Sequence, residues 1–264
     1  MNHGIVRTPC IAVRKEPSEQ SEMSSQLLFG EIFTILEESG GWILTRNEYD
    51  AYEGWVSRQG TGNLVDEELE RYRKLSACIQ PQAFLSLQRS SGEERMLVPA
   101  GSVLYFEKEH PIRVHCGETY RMERPCPELS GELEQKILKT GRQFLNVPYL
   151  WGGKSTYGTD CSGLVQTVMK ILGIRIGRDT SQQVNQGQAL NMLPEARTGD
   201  LVFFDNEEGE IVHVGLLMEE GTVLHASGLV RIDPIDHQGI YHRDLKRYTH
   251  KLRVIKRILQ YTQT

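Results

Sequence analysis

No stretch of this chain approaches the roughly 20 consecutive apolar residues that a membrane-spanning helix requires, so no membrane partner is expected. The N-terminus, MNHGIVRTPCIAVRKEP, lacks an apolar core of signal-peptide length and is interrupted by charge at Arg7 and Arg14. If Met1 is the natural start, the chain is expected in the cytoplasm. A processed fragment of an exported protein, periplasmic or extracellular, would read the same way. A basic stripe interleaved with aromatic residues is also missing, and the net charge is −5, which argues against nucleic acid as a partner. Cysteine is scarce and odd in number: the five are Cys10, Cys78, Cys116, Cys126 and Cys161. That count, without the spacing of a small secreted framework, does not suggest a disulfide scaffold and predicts at least one free thiol. His110, His115, Cys116 and Cys126 match no zinc-binding spacing, so no metal site is expected.

What is present is the composition of an ordinary globular protein, 39% hydrophobic and 25% charged over 264 residues, enough for one large domain or two to three small ones. Up to about residue 60 the chain reads as short strands. Apolar and polar residues alternate in EIFTILEE and GWILTR, with Gly40-Gly41 as a turn between them. Residues 63–74, with the acidic run DEELE, read as a helical or solvated linker. Residues 75–125 are strand-rich again. Arg124-Pro125-Cys126-Pro127 marks a boundary, after which a helix is expected, capped by Ser130 with Leu133, Ile137, Leu138 and Leu145 on its apolar face. Helical patterns then precede strands, the order of a compact α+β domain.

The segment VPYLWGGKSTYGTDCSGLVQTVMKILG carries the strongest signal. Leu164, Val165, Val168, Met169 and Leu172 recur at helical spacing, Gly173 is a natural stop, and Asp160 is placed to cap the first turn. Cys161 is therefore predicted at the N-terminus of an amphipathic helix, where the helix dipole favours a thiolate and backbone N–H groups face a developing oxyanion. On position alone, an inert buried cysteine is an equal reading. The glycines at 152, 153 and 158 and the aromatic pair Tyr149/Trp151 suggest instead an open, ring-lined approach.

A thiol nucleophile needs a base that also protonates the leaving group, and histidine does both near neutral pH. GDLVFFDNEEGEIVHVGLLMEEGTVLHASG reads as three strands and two turns. A hairpin turning at residues 218–220 places His213 directly opposite His225 on one face, as base and orienter of a triad. A slip of one residue would put them on opposite faces. His3, His110, His115, His237, His242 and His250 fall outside this pattern.

Together, PYLWGG, DCSG and its helix, RDTSQQ, GDLVFF, HVGL and LHASG resemble the NlpC-type cell-wall peptidases, a papain-like cysteine peptidase family, over residues 130–245. The opening VR-x-x-P, the GGW turn and the closing EGWV resemble a bacterial SH3-like (SH3b) domain over residues 5–60. The resemblance implies an SH3-like barrel at 1–62 and a papain-like α+β catalytic domain at 128–264; the strand spacing of residues 75–125 fits a second, degenerate SH3-like barrel, so one or two small barrels are expected before the core. The resemblance also implies Cys161 as nucleophile, His213 as base and His225 as the third polar residue, with no cofactor.

SH3-like domains before such a core resemble the γ-D-glutamyl-L-diamino acid endopeptidases of murein peptide recycling, the dipeptidyl-peptidase VI type. In that subgroup the barrel admits a murein-derived peptide with a free N-terminal L-Ala-γ-D-Glu unit. Asp160 and Ser162 match positions that bind the substrate amine and carboxylate, Tyr149 a groove tyrosine, and Thr180 stands where the subgroup has serine. Glu53 is the candidate carboxylate for the free amine, with Glu31 and Asp50 open as alternatives. An exported hydrolase of intact cell wall and a non-catalytic murein-binding protein are the rival readings.

Overall fold

The computed structural model describes residues 2–219 and 221–258. The chain divides into two compact units. Of the described residues, those up to 129 together with 151–157 form one; 130–150 and those from 158 onward form the other.

The first unit is built on two antiparallel sheets. Strands His3–Val6, Cys10–Arg14, Met23–Leu28, Ile32–Ser39, Trp42–Asn47, Glu53–Ser57 and Thr61–Leu64 form a seven-stranded sheet. Ser39 pairs with Trp42, so Gly40 and Gly41 are the two-residue loop of a hairpin, and Gly40 has φ +59°, a conformation glycine adopts without a Cβ penalty. Period-two alternation turns Val6, Val13, Leu27, Phe33, Ile43 and Val56 into one buried cluster. A six-stranded sheet follows, running from Ser76–Ile79 to Glu118–Arg121.

Between the sheets lies a helix, Asp66–Lys74, with Asp66, Glu67 and Glu68 in its first turn and Arg71, Arg73 and Lys74 in its last, both complementary to the helix dipole. It is no solvated linker. Leu69 and Tyr72 are buried in a cluster with Ile5 and Leu64 of the first sheet, Phe29 in the turn after its third strand, and Leu87, Val98, Leu104 and Val114 of the second. The two sheets therefore share a core.

Cys78 and Cys126, 48 positions apart, form a disulfide. The cysteine count gave no hint of it, because the pairing depends on where the edge strand Ser76–Ile79 lies after the second sheet has formed.

In the second unit, the first helix spans Leu133–Arg142 with Glu132 rather than Ser130 at its N-cap, and Leu145 lies beyond its end. A Cβ on its Gly141 would come within 2.9 Å of Leu224 and 3.1 Å of Met218, so glycine permits the close approach of helix to sheet. The next helix, Cys161–Ile171, is buried along its whole length, Gln166 and Lys170 included. The expected amphipathic helix is thus a central one, enclosed on all sides. Gly173, at φ +81°, ends it: its N–H donates to Lys170 and that of Ile174 to Met169, the paired bonds of a Schellman stop.

The strands form a seven-stranded antiparallel sheet in the order Gln188–Leu190, Arg247–Arg257, Leu201–Asp205, Ile211–Leu217, Thr222–Ser227, Leu229–Asp236, Gly239–His242. Arg247–Arg257 also pairs with Gly239–His242, so the sheet curls round and closes on itself. Gly239, at φ +135°, lets this closure happen, because a Cβ there would lie 1.8 Å from the His250 carbonyl oxygen. Among the described residues no helix is long and apolar enough to cross a membrane.

Candidate active site

Asp160 caps the central helix as expected. Its Oδ1 accepts the Gly163 N–H at 2.7 Å and the Ser162 hydroxyl at 3.2 Å. Arg178, 1% exposed, donates to both carboxylate oxygens, at 3.1 Å and 2.7 Å, and to Ser162 Oγ at 2.9 Å. The carboxylate–guanidinium clasp balances the charge of both buried groups. It also ties the Arg178-Asp179-Thr180 turn to the helix start. Asp160 and Ser162, expected as substrate-binding positions, are parts of the frame that holds the nucleophile.

Cys161 is 7% exposed. Three donors favour its thiolate form: the backbone N–H groups of Ser162 and Val214 and the hydroxyl of Thr180. The Val214 contact places the sulfur beside the strand residue that follows His213. Thr180, expected in the substrate groove, acts through its hydroxyl on the ionisation of the nucleophile. The helix N-terminus was expected to depress the thiol pKa, but the structure gives the opposite direction. Burial, reinforced by the Asp160 charge, pushes the thiol up, and the three donors oppose this without overcoming it. In the free protein Cys161 is a thiol awaiting a base. Tyr149 lies near enough to feel the same charges. Burial first, then Cys161 and Asp160, push its phenol up to about 12, so its hydroxyl is a proton donor at neutral pH. Trp151, paired with Tyr149 on the sequence, belongs to the other unit, where its indole N–H donates to Glu22 at 2.8 Å.

The hairpin brings the two histidines together, but in a different register. Leu216 pairs with Leu224 and Leu217 with Val223, which carries His225 opposite Gly215 rather than His213. A shift of two residues preserves the face, and His213 Nε2 meets His225 Nδ1 diagonally at 3.1 Å. A Cβ on Gly215 would lie 3.4 Å from the His225 Cβ and 2.4 Å from a Val223 methyl; the glycine leaves room for this crossing. The expected turn at 218–220 includes residue 220, which lies outside the described residues.

Two further groups complete the cluster. Asp233, fully buried, places Oδ2 3.2 Å from His225 Nε2 and is chelated by Arg231 at 2.5 Å and 3.1 Å. Burial alone would raise its carboxyl pKa, but the bonds from His225 and Arg231 outweigh that and hold it well below the usual carboxylate range. His250, set aside on the sequence, stacks on His213 with ring centroids 4.2 Å apart and planes 25° from parallel.

Burial, then His250 and His225, drive the His213 pKa well down. Burial likewise lowers His225 against the pull of Asp233, and with His225 and His242 it takes His250 to about 4. All three rings are neutral at pH 7.

Ring nitrogens of His213, His225 and His250 lie within 4.8 Å of one another, a spacing a metal ion accepts. The geometry does not suit one. A metal must lie in the plane of each ring that binds it, and two planes stacked 4.2 Å apart at 25° meet far beyond the roughly 2 Å of a metal–nitrogen bond.

Cys161, His213, His225, Tyr149, Asp160, Ser162 and Thr180 all lie in the second unit. Glu53 lies in the first, half-exposed, accepting from Arg46 Nε at 2.6 Å. Its alternatives are engaged too. Glu31 is buried, accepts the Leu28 N–H at 2.8 Å and pairs with Lys154 at 3.2 Å; Asp50 accepts the Tyr52 N–H at 3.1 Å.

Sequence reasoning missed Asp233, Arg231, His250 and Arg178. A signal existed for two of them. With Gly228 as a turn, Ser227 pairs with Leu229 and His225 with Arg231, and Asp233 falls two residues further along the same face.

Comparison with known proteins gives consistent matches. The NlpC/P60 family matches residues 146–249, and the bacterial dipeptidyl-peptidase Sh3 domain matches residues 13–60. A γ-D-glutamyl-L-lysine dipeptidyl-peptidase of Bacillus subtilis is 32% identical over 220 residues, covering 77% of this chain and 72% of the relative. One of the same name from Bacillus cereus is 28% identical over 249 residues, 83% of this chain and 72% of the relative. A crystal structure of an NlpC/P60 family protein from Bacillus cereus superposes with a TM-score of 0.83 at 19% identity, over 98% of this chain and 100% of that one. That likeness shows the fold: an SH3-like β region and a papain-like α+β domain.

Proposed function

The chain belongs to the NlpC/P60 family of peptidases, and from that premise we propose that it hydrolyses the γ-D-glutamyl–L-diamino acid bond of murein peptides bearing a free N-terminal L-Ala, in cell-wall peptide recycling. The observation that carries this reading is the convergence on one thiol: Cys161 at a capped helix start, beside the strand that carries a neutral, doubly buttressed His213.

In this reading Cys161 Sγ attacks the γ-glutamyl carbonyl carbon while His213 takes the thiol proton, and the oxyanion forms against the backbone N–H at the helix start. The C–N bond breaks as His213 returns that proton to the departing diamino-acid amine, leaving a thioester. Water, deprotonated by His213, then attacks the thioester; L-Ala-γ-D-Glu leaves with a free carboxylate and the thiol is restored. A neutral imidazole and a protonated thiol suit this concerted order, because the charge pair is created only as the substrate reacts. We assign Tyr149 as a hydroxyl donor along the groove, Asp160 and Ser162 as contacts for the substrate amine and carboxylate, and Glu53 as the group favouring a free amino terminus.

The test is hydrolysis of murein tripeptides and tetrapeptides containing L-Lys or diaminopimelate, each with a free or acetylated amino terminus. Cleavage of the free forms alone supports the proposal. Equal cleavage of both overturns the role given to the amino terminus. The Cys78–Cys126 disulfide favours a second reading, an exported hydrolase of intact peptidoglycan, since disulfides persist in oxidising compartments. Release of peptides from whole sacculi at a rate matching that on free peptides would favour it over recycling.

A further inference from the structure

We propose that Asp233, held by Arg231, is a positioning residue that fixes the tautomers of His225 and His213, so that Nδ1 of His213 carries the lone pair that accepts the Cys161 proton. This rests on the reading of Cys161 and His213 as nucleophile and base.

The assignment follows from what each group is able to donate. A guanidinium only donates, so the bonds from Arg231 Nε and Nη2 at 2.5 Å and 3.1 Å require Asp233 to accept. Its carboxylate is ionised and has no proton to give. The 3.2 Å contact to His225 Nε2 is then a bond in which His225 donates. A neutral imidazole carries one proton, so with Nε2 protonated, His225 Nδ1 is an acceptor. The 3.1 Å contact with His213 Nε2 therefore has His213 donating. His213 is neutral as well, which leaves Nδ1 unprotonated. A chain of four side chains beginning at an arginine thus sets which nitrogen of the base is basic.

Packing leaves little room for another arrangement. His225 and Asp233 are both fully buried, and an unpartnered ring nitrogen there would be costly. His225 is engaged at both nitrogens, so a ring flip would break two bonds. His250 stacks on the face of His213 with its Nδ1 facing Thr249 Oγ1 at 2.9 Å, and it restrains the His213 ring without adding a partner to the chain. Arg231 is itself anchored by Asp244 at 2.9 Å.

Nitrogen-detected NMR of the intact protein, labelled with 15N-histidine, reads the tautomers directly. The expected result is Nε2–H for both His213 and His225, with Nδ1 unprotonated in both. His213 protonated at Nδ1 would overturn the proposal. The second arm is Asp233→Asn, whose amide no longer compels His225 to donate. Its kcat on the murein tripeptide should fall on the order of 10²- to 10⁴-fold with KM little changed, and its His225 signals should shift towards Nδ1–H. Asp233→Glu should recover part of the rate. An Asp233→Asn protein that melts like the parent and keeps full kcat contradicts the proposal. If that variant does not fold, the tautomers of the parent decide alone. Cys161→Ala separates the two levels: turnover by that variant removes the peptidase reading itself, whereas an inactive Cys161→Ala beside a fully active Asp233→Asn removes only the role of Asp233.

Discussion

Two buried carboxylates of the site are each clasped by one arginine, and they do different work. Asp160 touches groups within three residues of itself, together with Arg178. It caps the helix, and its charge raises the Cys161 pKa. Asp233 reaches across to a neighbouring strand, and its partner is a histidine. The same chemical pair is a foundation in one place and a director of proton position in the other. What separates them is whether the carboxylate's next neighbour carries a proton that must be placed.

Removing the Cys161 sulfur sets the scale. Cys161→Ala should lower kcat/KM by at least about 10⁴-fold while leaving the melting temperature close to that of the parent, measured by peptide release and thermal unfolding. Asp160→Ala should do the reverse in emphasis. It removes the carboxylate that balances the buried Arg178 charge, so denaturant unfolding should show a loss of about 3–5 kcal/mol.

Cysteine alkylation distinguishes the two carboxylates on the same thiol. In the parent, the rate at Cys161 should climb through a midpoint above that of an ordinary thiol. Asp160→Asn should move that midpoint down, because the charge opposing the thiolate is gone. Asp233→Asn should leave it nearly in place. Equal shifts in both variants would erase the distinction.

Acid tests the histidine end. His213, His225 and His250 have folded-state pKa values below the unfolded value of about 6.5. The unfolded chain therefore takes up protons that the folded protein refuses. Stability is fully present above about pH 6.5 and is lost as pH falls towards the lowered folded values, about 4 for His250. The melting temperature should drop steadily from pH 7 to pH 4.5, and His250→Leu should make that drop shallower.

The smallest effect belongs to Glu53. Its pair with Arg46 is half-exposed, so Glu53→Gln should change stability by less than about 0.5 kcal/mol, with any effect confined to discrimination between free and acetylated peptides.

The same division explains what could be read beforehand. The nucleophile helix was legible because its signals are local: a cap at Asp160, apolar spacing, a glycine stop. The shared face of His213 and His225 was legible from strand alternation and survived a register error of two residues, since alternation repeats every two. Asp233 needed the following turn at Gly228 to be drawn. His250 needed the sheet to close on itself, which rests on the backbone approach at Gly239. The disulfide and the core shared by the two sheets of the first unit depend likewise on strand order, which short-range patterns do not encode. The direction of the Cys161 shift depended on burial along the whole helix, where an amphipathic pattern had suggested one open face.

The most direct measurement is product analysis of L-Ala-γ-D-Glu-L-Lys and its diaminopimelate counterpart incubated with the parent protein and with Cys161→Ala. Release of L-Ala-γ-D-Glu and the free diamino acid by the parent, and none by the variant, is the predicted result. Release of the same products by Cys161→Ala, or cleavage by the parent at the L-Ala–D-Glu bond instead, would contradict it.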